Sequence, residues 1–205
     1  MLVVAPGGTA PFAVVPVLAA IGWCCGATGG AAVGAGMCVA EVVARSQRTM
    51  SLIGGAAMTG GVVGAAAQWI GRVSLAALVG VHVATGGGLE GLVIGGAAGL
   101  GYAVATSRVE GGLAAPRGRR RLRVAVVTAA ACALGALALS LAGRPLVGGT
   151  IHAIAQASQG SQATLTPLGR IIGEPDFGPI ARAVIGMGEG ALFGAGLAVG
   201  LTRRP

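Results

Sequence analysis

Two hundred and five residues suffice for one soluble domain, or for five to six membrane crossings of about 20 residues with their connections. Hydrophobic residues make up 54% and charged residues only 10%, well below the roughly 25% that keeps a soluble surface wet, and mean hydropathy is +0.83. That balance excludes a disordered chain, and 3% aromatics without strand alternation exclude an outer-membrane β-barrel, leaving an all-α polytopic transmembrane bundle.

In chain order, the first apolar run extends from Pro11 to Ala44. It predicts one crossing over Trp23–Ala44, preceded by a segment broken at Pro11 and Pro16 that forms at most a short re-entrant helix over 12–22. The second crossing is expected at Met50–Ile70, between Arg48 and Arg72. A third, over-long run covers Leu75–Thr106 and is interrupted by Gly86-Gly87-Gly88. The fourth spans Val124–Ala142 between Arg123 and Arg144, and the fifth Ala183–Leu201. Met1–Pro6 lacks the cationic start of a cleavable signal peptide, so the first run is expected to be retained. Cys24, Cys25, Cys38 and Cys132 all lie in apolar runs without redox or zinc spacing, and read as small packing residues.

All fourteen cationic side chains are arginine, which together with abundant Gly and Ala is the product of GC-rich coding and points to a bacterium. The net charge of +8 does not imply nucleic acid, because the arginines flank the apolar runs as the positive-inside rule requires. Arg45 and Arg48 follow crossing one. Arg117, Arg119, Arg120, Arg121 and Arg123 follow crossing three, and Arg203 and Arg204 close the tail. With five crossings these three clusters share one side, predicting a multi-pass inner-membrane protein with its N-terminus outside and its C-terminus cytoplasmic.

Crossings three and five carry one pattern: aligned without gaps, Glu90-Gly91 falls on Glu189-Gly190, Gly95 on Gly194 and Gly101 on Gly200. The repeating unit is a helical hairpin, with unit one at 45–108 and unit two at 124–205, the latter holding an outer loop at 145–182. Residues 1–44 form a half unit, and 109–123 an Arg-rich cytoplasmic loop, all within a single membrane domain.

Glycines recur at every fourth position: Gly26, Gly30 and Gly34; Gly60 and Gly64; Gly91, Gly95 and Gly99; and Gly186, Gly190 and Gly194. Such spacing lines one helix face and lets another backbone approach closely, which matters in lipid where no hydrophobic force joins helices. The pattern resembles the glycine-zipper helices of bacterial polytopic membrane proteins. That resemblance implies helix packing, within the chain or with a second copy or other membrane protein.

Glu90 and Glu189 are the acids expected within crossings, each with a partner on the same face: His82 before Glu90 and Arg182 before Glu189. Two roles compete for them. As an ion or proton pathway they would face one polar cavity; as helix caps they would sit at the positive ends of helix dipoles. Glu41 is expected to pair with Arg45 four residues on, and His152 stands without ligand-type neighbours, so neither metal nor cofactor is expected. No nucleotide, nucleophile-elbow or zinc-protease motif is present, and no catalytic residue is expected. The sequence thus favours a non-enzymatic anchor or oligomerisation module over a small channel.

Overall fold

The structure, a computed structural model, describes residues 3–4, 14–43, 47–79, 86–106, 116, 118–144, 146, 163–164, 166–174 and 178–203. Among these residues the helices are α1 (Val14–Val43), α2 (Arg48–Val79), α3 (Gly88–Ala105), α4 (Arg119–Leu141), α5 (Thr166–Ile172) and α6 (Pro179–Leu201). Two short strands, β1 (Val3–Val4) and β2 (Ala163–Thr164), pair antiparallel with Val3 opposite Thr164. All five long helices are long and apolar enough to cross a membrane. Their outer faces are apolar: Trp23, Val43, Leu141 and Leu192 are each at least 75% exposed.

Several boundaries differ from the sequence expectation. Pro16 does not break the first run, because it falls in the first turn of α1, where a missing backbone donor costs nothing. Arg72 does not end the second crossing: α2 continues through Leu75 to Val79, and the third crossing is only Gly88–Ala105. An exposed arginine on a long apolar stem can lie along a helix without interrupting it. For the same reason α4 begins at Arg119 rather than Val124, and α6 begins at Pro179, whose fixed φ suits a first helical position.

Two helices end in the same hydrogen-bonded turn. After α4, Gly143 takes a φ of +72°, its N–H reaching Ser140 O at 3.1 Å and that of Arg144 reaching Leu139 O at 2.9 Å. After α5, Gly173 at φ +90° does likewise, with Glu174 N–H on Gly169 O at 2.9 Å. Each turn thereby aims the side chain that follows the glycine, Arg144 or Glu174, back across the bundle end.

Helix α2 lies between α1 and α3, and α4 between α3 and α6. The three helices that run the same way, α1, α3 and α6, share one core, in which Val33, Met37, Ala98, Tyr102 and Leu197 are buried. The seams are closed by glycine. A Cβ on Gly60 would collide with Gly91 O, one on Gly64 with Gly87 O, one on Gly95 with Ala56 O, and one on Gly99 would lie 2.5 Å from Leu52 O. In the α4–α6 seam a Cβ on Gly190 would lie 2.5 Å from Cys132 O, on Gly194 2.6 Å from Thr128 O, and on Gly186 2.9 Å from Ser140 Oγ. The two seams have one register, since 72 residues separate Ala56 from Thr128 and Gly60 from Cys132, while 99 separate Gly91 from Gly190 and Gly95 from Gly194.

The glycines of α1 behave differently. The sequence puts Gly26, Gly30 and Gly34 in a packing face, yet nothing described lies within 4 Å of a Cβ built on Gly26 or Gly30. Gly34 has only Leu201 and Leu197 at 3.5 and 3.7 Å. Contact between α1 and α2 runs instead through Gly36 and Gly55, where a Cβ on either would lie 2.6 Å from the other's carbonyl oxygen.

Candidate functional site

The bundle has two charged ends. At the arginine-rich end, Arg48 is buried at the start of α2 and its Nε donates to Glu41 Oε1 at 2.6 Å. Its Nη1 and Nη2 donate to Thr106 O at 3.1 Å and Thr106 Oγ1 at 2.9 Å, so one guanidinium ties together the ends of α1, α2 and α3. The partner of Glu41 is therefore Arg48; Arg45 lies outside the described residues. Arg121, in the first turn of α4, donates from Nε to Thr202 Oγ1 and from Nη2 to Val199 O, both at 3.2 Å. A cation there meets the negative end of the α6 dipole. Arg119, Arg120, Arg123 and Arg203 are exposed at this same end, while Arg117 and Arg204 lie outside the described residues.

The opposite end holds the two glutamates. Glu90 is the third residue of α3, and its Oε2 accepts the Gly87 N–H at 2.6 Å, satisfying a donor the helix start leaves over. Its Oε1 accepts from Arg144 Nη1 at 2.9 Å. The carboxylate is buried, the guanidinium half exposed. Burial of this charge is thus compensated three ways: by a backbone donor, by a cation, and by the positive end of the α3 dipole.

Glu189 is not at a helix start but within α6, the glutamate-to-glycine register matching that of Glu90-Gly91. It lines a cavity of about 30 Å³ with Arg144, Arg182, Ser140 and Leu146, a space the size of one water. Glu90 lines a second cavity of about 190 Å³, largely apolar, with Ile94, Phe193 and Leu146. Leu146 is common to both, so the two glutamates occupy neighbouring cavities joined through Leu146 and Arg144. His82 and His152 lie outside the described residues.

The sequence does not single out Arg144 or Glu174 for these roles. Glu174 accepts the backbone N–H groups of Ile180 at 3.2 Å and Ala181 at 2.8 Å and so caps α6 from outside it. Both follow a C-terminal glycine, and that Gly-Arg and Gly-Glu placement is the sequence signal for the turn that aims them. Among the described residues no group of three His, Cys, Asp or Glu side chains could hold a metal ion. Comparison of the chain with protein-family models, curated proteins and solved structures returns no match.

Proposed function

We propose that the chain is a non-enzymatic integral membrane protein, a glycine-packed bundle acting as anchor and assembly module in a bacterial inner membrane. In this reading the arginine-rich end is cytoplasmic, so the N-terminus is outside and the C-terminus inside. The observation that carries it is the use of charge: Glu41, Glu90 and Glu174 each hold structure together, as an ion pair or helix cap. The helices meanwhile pack backbone to backbone and turn apolar faces outward. The shared register of the two seams supports descent from one duplicated hairpin. The test is twofold. Solubilised native membranes should yield the chain in a complex larger than a single bundle, and vesicles holding the pure protein should pass protons and monovalent cations no faster than empty ones. A conducting monomer would reverse the proposal.

A second reading, a small channel, draws on the link from Glu90 through Arg144 to the cavity of Glu189 and Arg182. It requires flux that Glu90→Gln and Glu189→Gln abolish in a folded protein.

A further inference from the structure

Among the described residues, three helices that run the same way, α1, α3 and α6, are joined by two that run oppositely, α2 and α4. A shift of 65 residues carries Gly22, Gly26, Gly30 and Gly34 of α1 onto Gly87, Gly91, Gly95 and Gly99 of α3. A shift of 99 carries Gly87, Gly91 and Gly95 onto Gly186, Gly190 and Gly194 of α6. The same shifts relate the core residues Val33, Ala98 and Leu197, and also Met37 and Tyr102 of the core with Leu201 packed against it, so α1, α3 and α6 bring equivalent positions to one core. The α3 stripe seats α2 and the α6 stripe seats α4. On the other flank, Gly36 of α1 and Gly101 of α3 meet α2 and α4 at Gly55 and Val127, again 72 apart.

The third seat, between α6 and α1, is a groove of about 1010 Å³. One wall is Gly22, Gly26, Gly30 and Gly34; the other includes Gly196 and Gly200, the counterparts of Ala97 and Gly101 where α3 receives α4. From Gly22 to Gly34 it runs about 18 Å, more than three helical turns. At the other two seats Gly91, Gly95, Gly99, Gly101, Gly190 and Gly194 lie against backbone and Gly87 and Gly186 against side chains, whereas at Gly22, Gly26, Gly30, Gly196 and Gly200 nothing described lies within 4 Å.

The geometry points to a transmembrane helix of another polypeptide as the occupant of this seat, running parallel to α2 and α4. The inference rests on the assembly reading and names its partner by chemistry. The inner face of the occupant must match Ala56, Gly60 and Gly64 of α2 and Thr128, Cys132 and Ala136 of α4: a small residue at every fourth position. It should enter from the arginine-rich end, where Arg48 and Arg120 hold equivalent places near the starts of α2 and α4. A second copy is the weaker candidate, because its own α2 and α4 are each locked into two seams and would have to leave them.

The probe is a synthetic peptide of residues 48–74, the crossing part of α2, with Trp69→Phe and a dansyl acceptor at its C-terminal end. It is added to full-length Trp69→Phe protein in lipid nanodiscs, leaving Trp23, on the groove, as donor. Saturable energy transfer at one peptide per chain is expected, weakened about tenfold or more by Gly30→Leu in the protein or Gly60→Leu in the peptide. Gly30→Leu should leave the protein's own melting unchanged, since its side chain enters open space. Absence of saturable transfer, or transfer indifferent to Gly30→Leu, overturns the inference, as does a dimer of the chain that Gly30→Leu dissociates. If the peptide fails while native membranes still yield the larger complex, the groove proposal falls alone; if both fail, the assembly reading falls with it.

Discussion

Arg144 and Glu90 are 54 positions apart in sequence and 2.9 Å apart in space, a pair that fixes the end of α4 to the start of α3. The glutamate also closes its own helix through Gly87. Removing its charge while keeping its shape separates structural from conducting roles. Glu90→Gln should insert normally and lose on the order of 1 kcal/mol, and Glu90→Ala about 1–2 kcal/mol, measured by unfolding in mixed micelles.

The Glu41–Arg48–Thr106 cluster should be more sensitive. Arg48→Ala leaves the Glu41 carboxylate without its cation, with the side chains of the pair only 12% and 9% exposed. A loss of about 3 kcal/mol is expected, and Glu41→Gln together with Arg48→Met should recover much of it. A single variant as stable as the parent would show that the pair holds nothing.

Glycine substitutions should divide by seam. Gly91→Leu puts a side chain into the Gly60 carbonyl and should cost about 3 kcal/mol or prevent folding, whereas Gly26→Leu should change stability by less than about 0.5 kcal/mol. Helical content followed through titration with denaturing detergent distinguishes them.

That contrast shows what the sequence discloses. Spacing by four marks Gly26 and Gly91 alike, because a stripe reports a face and not whether a neighbour stands against it. The five helices able to cross a membrane were legible because stretches of 18 or more residues with high mean hydropathy and few charges admit few alternatives. Their ends were not, since Arg72 and Arg119 ride within helices that charge alone suggests should stop. The Glu90 cap is a local pattern of Gly87 and the third helical residue; its bond to Arg144 depends on how α4 packs, which no local pattern encodes.

Orientation has a direct check. In a chain cleared of native cysteines, single cysteines at 47, within 109–118 and at the C-terminus should be shielded from an impermeant thiol reagent in intact cells, while one within 150–175 should react. Labelling within 109–118 would invert the scheme.

The central claim, that this bundle assembles and does not conduct, is tested most directly by ion flux. Proteoliposomes of the pure chain under an imposed proton or potassium gradient should dissipate it at the rate of empty vesicles, with Glu90→Gln and Glu189→Gln making no difference. Flux above that background which both substitutions abolish, in protein that remains helical, would contradict the account and make the two glutamates a pathway.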